Sequence, residues 1–160
     1  MVWAAISAIG IISAEWLFKH EKTLETLLLF FEKTELEISH YSLSFPVLIE
    51  EAAKESSANV LFFIPLCAEK IKAGIDFPKA WKQSVEQKPL PLLKKEKEML
   101  LDFGTLFSSC DKEGVIKMLD FYKKSFEVSL NTAMGARKKY AKLCVFSGLF
   151  IGGIIFITLI

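Results

Sequence analysis

The side chains that most often bind metal ions or act as nucleophiles are few in this chain, and their spacing suits neither role. The two histidines, His20 and His40, have no Cys or second His three or four residues away, the spacing at which a helix holds a metal ion. The cysteines Cys67, Cys110 and Cys144 form no CxxC pair, and their odd number argues against a disulfide framework. We therefore expect reduced thiols and no metal site.

Motifs that mark nucleotide binding or catalysis are missing from the sequence. It contains no GxxxxGK[ST], no GxGxxG, no GxSxG and no HExxH. The carboxylate pairs Glu35/Glu37 and Glu50/Glu51 lie on predicted amphipathic helices with Lys nearby, a pattern typical of solvated helix faces. The sequence therefore predicts no catalytic residue, no cofactor and no small-molecule substrate.

Charge is confined to the middle of the chain. All 20 Lys and Arg residues lie between Lys19 and Lys142, whereas residues 1–14 and 143–160 contain no charged side chain. The formal net charge is only +1, so the clustered, uncompensated cations of a nucleic-acid-binding protein are absent. An apolar content of 52% excludes a disordered chain. This distribution indicates a small membrane protein with apolar ends and an amphipathic middle.

The charge-free segment over residues 143–160 has the length of a membrane span. At ~1.5 Å per residue it would form a helix of roughly 27 Å, close to the thickness of a hydrocarbon core. Basic and aromatic residues precede it, as expected at a membrane interface: Arg137, Lys138, Lys139, Tyr140 and Lys142. We therefore predict a transmembrane segment over residues 143–160.

The apolar segment over residues 1–18 is predicted to cross the membrane as well, although Glu15 interrupts it. Trp3 and Trp16 lie near its two ends, where interfacial anchors belong, and Glu15 is placed at the interface. A cleaved signal peptide is the alternative. Against it, the segment lacks the Lys or Arg of such a leader, and Trp16 continues into a helical pattern.

Small residues recur in both apolar segments at intervals of one helical turn. The pairs are Gly148 with Gly152, Ala4 with Ala8, and Gly10 with Ala14. Such pairs let helices approach closely in lipid, although Gly and Ala are also simply common in membrane helices.

Two membrane spans would form a hairpin that leaves residues 19–142 on one side as a single domain. All Lys and Arg residues belong to this domain, so the positive-inside rule assigns it to the cytoplasm and both termini to the opposite side. The predicted location is the cell membrane, as a multi-pass protein.

Residues 19–142 show helical rather than strand periodicity. We expect an all-α antiparallel bundle of about six helices, whose first and last helices extend into the membrane. The first helix is predicted to end near residues 41–44, and Pro46 is predicted to lie in the first turn of the second. The last three helices are predicted over residues 79–87, 92–107 and from residue 112 onwards.

The third helix is predicted over residues 60–73, with Asn59 as its N-terminal cap and Gly74 closing it. Pro65 lies inside this segment, which implies a kink or a later start. Two pairs of adjacent aromatic residues, Phe30/Phe31 and Phe62/Phe63, also occur. Either one member of each pair faces a partner or the membrane surface, or both belong to a dense core.

Short motifs follow one another in a characteristic order over nearly the whole chain. They are Glu35-Leu36-Glu37-Ile38, Ala52-Ala53-Lys54, Lys72-Ala73-Gly74 followed by Ala80-Trp81, Phe103-Gly104-Thr105-Leu106, Asp111 with Glu113-Gly114, and Tyr140-Ala141-Lys142-Leu143 with Gly148-Leu149. In this order they resemble the stage III sporulation protein AB family, small membrane proteins of endospore-forming bacteria. The chain departs from the family pattern at Pro46, one residue later than usual, and at Phe107, Val115 and Cys144.

The resemblance implies a cytoplasmic helical domain similar to those of the type II secretion inner-membrane platform protein F. It also implies a non-enzymatic platform role in the channel complex between mother cell and forespore. The implied partners are the ATPase of the same operon, stage III sporulation protein AA, and other membrane components of the channel.

Three other functions are open at this point. The first is a secretion or pilus platform outside sporulation. The second is a small membrane-surface enzyme, which requires a polar pocket formed by Glu15, Lys19 and His20. The third is a channel-forming oligomer, which would have to line an ion path with the few Ser and Thr residues of the spans.

Overall fold

The computed structural model describes the backbone of residues 2–41, 45–55, 59–107 and 112–159, and the side chains of residues 14–40, 46–55, 59–107 and 113–140. The described residues form six helices and no strand, which confirms the predicted all-α class. The helices are α1 (Val2–Tyr41), α2 (Phe45–Ala52), α3 (Phe63–Lys72), α4 (Phe77–Gln87), α5 (Lys94–Phe107) and α6 (Lys112–Leu159).

Proline explains where α3 begins. The helix starts at Phe63, so that Pro65 falls in its first turn, where a missing amide donor costs no helical hydrogen bond. A helix from residue 60 would have placed Pro65 in its interior. The later start is therefore confirmed. Phe62, not Asn59, is the N-terminal cap residue, and the prediction of an Asn59 cap is wrong.

Gly74 closes α3 as predicted, and its conformation shows why glycine is needed there. Its φ of 84° lies in the left-handed region that other residues rarely adopt. The amide of Gly74 donates to the carbonyl of Ile71 at 2.9 Å, and the amide of Ile75 donates to the carbonyl of Lys70 at 3.0 Å. These paired bonds are those of a Schellman motif. They end α3 and turn the chain towards α4.

The two long helices, α1 and α6, run antiparallel, and the short helices α2–α5 pack against them and against one another. Ion pairs join Glu21 to Arg137 and Glu35 to Lys123. The interval from Glu21 to Glu35 along α1 equals the interval from Lys123 to Arg137 along α6, so both pairs belong to one antiparallel register. At ~1.5 Å per residue, α1 and α6 are roughly 60 and 72 Å long.

Aromatic side chains fill the centre of the core around Trp81. This residue is fully buried, and its indole Nε1 donates a hydrogen bond to the carbonyl of Leu100 at 2.7 Å. Four rings have their centroids between 5.1 and 6.4 Å from that of Trp81: Phe30, Phe63, Phe77 and Phe103. Such a cluster buries a large apolar area and satisfies the one polar group of the indole.

Both members of the Phe30/Phe31 pair belong to this core. Phe30 faces Trp81, whereas Phe31 contacts Phe103 and Phe126 at centroid distances of 4.9 and 5.6 Å. α1 can bury both neighbours because short helices pack on one side of it and α6 on another. In the second pair, Phe63 is fully buried and Phe62 is half-buried.

Gly104 allows α5 to approach α4 closely. A Cβ atom at this position would overlap the indole ring of Trp81. Two motifs of the family resemblance, Ala80-Trp81 and Phe103-Gly104, therefore meet in one helix–helix contact. Their role in the structure is packing rather than chemistry.

The prediction of two transmembrane segments, residues 1–18 and 143–160, is not supported by the structure. In the part of the chain that is described, no helix is both long enough and apolar enough to cross a bilayer. The side chains of residues 1–13 and 143–160, which make up most of the two segments, lie outside the described residues.

Candidate functional site

A cleft of about 390 Å³ lies between α1, the start of α5 and α6. Its apolar wall is formed by Trp16, Leu17, Leu93, Val128, Ala133 and Ala136. Its polar side chains are His20, Lys95, Glu96, Ser129 and Thr132. Both the volume and the mixture of a mainly apolar wall with a few polar groups are typical of small-molecule sites.

A buried hydrogen bond between His20 and Glu96 joins α1 to α5 in this cleft. Nε2 of His20 lies 2.7 Å from Oε2 of Glu96, and the two residues are only 4% and 3% exposed. The same Glu96 oxygen accepts the amide of Leu93 at 2.7 Å. Which of the two atoms of the His20–Glu96 bond carries the proton depends on the tautomer of the imidazole.

Glu96 also explains where α5 begins. The helix starts at Lys94, so Leu93 is its cap residue and Glu96 its third residue. A Glu at this position that accepts the cap amide forms one half of a capping box, and its negative charge is favoured near a helix N-terminus. α5 therefore begins two residues later than predicted. Residues 88–93 contain no Ser, Thr, Asp or Asn, so the sequence carries no capping signal that would have located this start.

Trp16 lies at the mouth of the cleft. Its ring stacks on the imidazole of His20, with a centroid distance of 4.8 Å and an interplanar angle of 20°. It remains 39% exposed. Sequence reasoning placed Trp16 at a membrane interface, and that role stays a prediction. The stacking on His20 is a contact that the sequence pattern did not indicate.

Arg137, one of the residues of the predicted basic interface, is bound to Glu21. Its Nη1 donates to Oε1 of Glu21 at 2.8 Å, and the Glu21 side chain is only 9% exposed. The guanidinium also lies 5.7 Å from the ring centroid of Phe18, within cation–π range. The second carboxylate oxygen of Glu21 is buried and has no hydrogen-bond partner among the described residues. Lys138 and Lys139 are exposed, and Tyr140 is half-buried.

Glu15 and Lys19, which a membrane-surface enzyme would combine with His20 in one pocket, do not line the cleft to which His20 belongs. Glu15 and Lys19 pair with each other at 2.6 Å, and about three-fifths of each side chain is exposed to solvent. His20, by contrast, is buried against Glu96. The described part of the chain also holds no group of three or more His, Cys, Asp or Glu side chains placed to bind a metal ion.

The other predicted interface and helix-packing residues are not tested by the structure. Ala14 is exposed. Those outside the residues whose side chains are described are Trp3, Ala4, Ala8, Gly10, Lys142, Gly148 and Gly152. Their roles stay predictions.

A second groove, of about 300 Å³, runs between α1 and α2. The Lys33 ammonium binds Glu55 and lies 3.6 Å from Glu37. The hydrogen bond to Glu55 raises the pKa of Lys33, which keeps this side chain charged. Leu29, at the edge of the groove, is 64% exposed. The Lys33–Glu55 pair joins α1 to the segment after α2, and Leu29 forms an exposed apolar edge on α1.

These features define an all-α protein in which a bundle of short helices packs against a long antiparallel helix pair, with a mainly apolar cleft at one end. The chain belongs to the stage III sporulation protein AB family, whose family model matches residues 1–160. The resemblance inferred from the motifs is thereby confirmed. Comparisons with curated proteins and with solved structures found no match.

Proposed function

We propose that this chain is a non-enzymatic membrane platform in the secretion-like channel complex between mother cell and forespore. In this proposal its helical domain, residues 19–142, docks a partner ATPase similar to stage III sporulation protein AA. Membership of the family makes the chain a sporulation-related protein. Family membership favours the sporulation channel complex over a secretion or pilus platform outside sporulation. The observation that carries the proposal is the antiparallel pairing of α1 with α6.

This pairing directs both charge-free segments to the same end of the molecule. The ion pairs Glu21–Arg137 and Glu35–Lys123 hold one register, and the helical backbone continues to Val2 in α1 and to Leu159 in α6. Residues 2–14 and 143–159 contain no charged side chain. We propose that this end attaches to the cell membrane and that the bundle lies on the cytoplasmic side of the mother cell, together with other membrane components of the channel.

Two stripes of exposed apolar side chains support a docking role for the bundle. Leu29 and Leu36 lie two turns apart on α1 and are 64% and 56% exposed. Phe121 and Val128 have the same spacing on α6 and are 62% and 67% exposed. Residues seven positions apart lie on the same face of a helix, so each pair presents two exposed apolar side chains, with charged or polar residues between them, that a partner protein can cover.

The proposal assigns no catalytic step to this chain and leaves nucleotide hydrolysis to the partner ATPase. The pair that most resembles catalytic residues is His20 with Glu96. Its hydrogen bonds are used within the fold, because His20 binds Glu96 and Glu96 also binds the amide of Leu93. This supports a structural rather than a chemical role for the pair.

The test is binding of the purified ATPase to the full chain in lipid nanodiscs, without nucleotide, with ADP and with a non-hydrolysable ATP analogue. We expect a stable complex in at least one of these states. The double variants Leu29→Glu/Leu36→Glu and Phe121→Glu/Val128→Glu change exposed positions only, so both should fold. Loss of binding in one variant and not in the other would identify the docking stripe. Absence of binding in every nucleotide state would overturn the proposal.

A further inference from the structure

We propose that the cleft between α1, α5 and α6 binds an anionic membrane lipid, with an acyl chain against the apolar wall and the headgroup at Lys95. The inference rests on the membrane attachment proposed above and extends it to a ligand. Val128 of the α6 docking stripe also lines this cleft, whereas Phe121 does not. The lipid would connect the bundle to the bilayer at a defined position.

The apolar wall of the cleft suits an acyl chain. Leu93, the cap residue of α5, and Val128 on α6 are 50% and 67% exposed although they are large and apolar. Covering such surface contributes roughly 25 cal/mol per Å² of apolar area removed from water. An acyl chain can cover this wall without needing any hydrogen-bond partner.

The polar groups of the cleft are largely used by the protein itself. His20 binds Glu96, and Glu96 also accepts the amide of Leu93. The hydroxyl of Thr132 donates to the carbonyl of Val128 at 2.9 Å. A sugar or nucleotide would bury many polar groups without partners here, and each unpaired group would weaken binding. The cleft therefore favours an apolar ligand.

Lys95 supplies the charge that selects an anionic headgroup. Among the described residues Lys95 forms no ion pair, whereas its neighbour Lys94 lies 3.9 Å from Glu98. The negative charge of Glu96 is engaged by His20 and by the amide of Leu93. An exposed ammonium beside an apolar cleft is the arrangement that attracts the headgroup of an acidic phospholipid.

One end of the cleft lies next to the charge-free segment of α1, where a lipid of the bilayer can enter it. The cleft borders residues 16–20 of α1, close to the charge-free segment that precedes them. Trp16, at its mouth, is partly exposed and stacks on His20. Tryptophan side chains prefer the boundary between lipid and water. The wall extends away from this end, because Val128 lies 15 residues before the charge-free segment of α6, roughly 22 Å along the helix. The acyl chain that covers Val128 therefore leaves the bilayer at the Trp16 end and extends into the cleft.

The test measures quenching of Trp16 fluorescence in the full chain. Two preparations of phosphatidylcholine vesicles would be compared. One contains brominated phosphatidylglycerol, and the other contains brominated phosphatidylcholine at the same mole fraction. The Trp3→Phe variant leaves Trp16 as the cleft reporter and the fully buried Trp81 as an internal reference. We expect brominated phosphatidylglycerol to quench Trp16 about fivefold more effectively than brominated phosphatidylcholine. This is the ratio that the attraction between one lysine and an anionic headgroup produces.

Two lysine variants distinguish the cleft from general charge attraction. Lys95→Glu and Lys94→Glu change the net charge equally and lie at the same end of α5, but only Lys95 lines the cleft. We expect Lys95→Glu to abolish the preference for the anionic lipid and Lys94→Glu to retain it. Equal quenching by the two lipids, or an equal effect of the two variants, would overturn the proposed lipid site.

Flotation of the same vesicles separates this proposal from the one on which it rests. A chain that does not float with the vesicles contradicts both the membrane attachment and the lipid site. A chain that floats but shows no preference for the anionic lipid contradicts the lipid site alone. The ATPase is absent from this experiment, so the docking proposal is tested independently.

Discussion

The roles of single side chains in this protein depend on the residues that surround them rather than on residue type alone. Histidine and glutamate are general acids and bases in many enzymes. In this chain His20 and Glu96 instead hold α1 to the first turn of α5. Cys67 carries a thiol that is fully buried. The sequence reveals the residue types but not these surroundings. His20 and Glu96 are far apart in the chain, and only the packing of α5 against the rest of the bundle brings them together.

The buried thiol of Cys67 should make the stability of the protein decline at high pH. Burial raises the pKa of this thiol to about 12, because the thiolate would lose its hydration. In the unfolded chain the thiol has a pKa of about 8.5. The stabilisation is therefore complete below that pH and is lost as the pH rises towards the folded-state pKa, by up to ~1.4 kcal/mol per pH unit.

Urea unfolding of the full chain in reducing buffer checks this expectation. The free energy of unfolding should fall more steeply with pH in the wild type than in Cys67→Ala, which lacks the thiol. Loss of the sulfur also leaves a small cavity, but that cost is independent of pH. A difference between the two proteins that stays constant from about pH 8 to 10.5 would contradict the raised pKa.

At the scale of helices, the helix ends that depend on the backbone of a single Pro or Gly residue could be predicted from the sequence. The helix ends that depend on contacts with other helices could not. Gly74 closes α3, and Pro65 places the start of that helix, because both act through their own backbone. The start of α5 depends instead on Glu96, whose carboxylate is held in place by His20 from another helix. The burial of both Phe30 and Phe31 likewise depends on neighbours on different sides of α1, which a single stripe of apolar residues does not reveal.

Two glycine substitutions test the contact between α4 and α5. Gly104→Ala would drive a methyl group into Trp81, whose ring cannot move because aromatic neighbours surround it. We expect this change to lower the free energy of unfolding by about 1–3 kcal/mol, as overpacking does. Gly135→Ala is the matched control, since a Cβ atom there meets nothing within 4 Å. It should raise stability by up to ~1 kcal/mol, because Ala is the better helix former.

Urea titrations followed by circular dichroism would compare these two variants with the wild type. If Gly104→Ala were stabilised as much as Gly135→Ala, the close approach of α5 to Trp81 would be wrong. If both were destabilised equally, the effect would not come from this contact.

At the scale of the whole molecule, the all-α class and the family follow from the sequence, whereas the register between α1 and α6 does not. Helical periodicity and the order of the motifs are local or collinear signals. The sequence does not reveal which basic residue of α6 pairs with each acidic residue of α1, because basic residues are numerous along α6. Only the structure selects Arg137 for Glu21 and Lys123 for Glu35.

The Glu21–Arg137 pair should make a measurable contribution to this register. Arg137→Met would leave the Glu21 carboxylate, nine-tenths buried, without its ionic partner. Because Arg137 itself is half exposed, we expect a moderate loss of about 1–3 kcal/mol in the free energy of unfolding. Glu21→Gln combined with Arg137→Met should recover part of this loss, because the buried charge is then gone. Strictly additive losses in this double-mutant cycle would show that the two side chains do not interact.

The pairing of α1 with α6 also has a consequence for how the chain folds during synthesis. The residues of the Glu21–Arg137 pair are 116 positions apart in the chain, so they meet only after all the other helices have been made. Until then, α6 does not yet cover the apolar face of α1 that carries Leu24, Leu27 and Phe31. Contacts between distant parts of a chain form slowly and leave apolar surface open to aggregation. We therefore expect closure of α6 against α1 to be a late folding step, with the nascent chain most prone to aggregation before it.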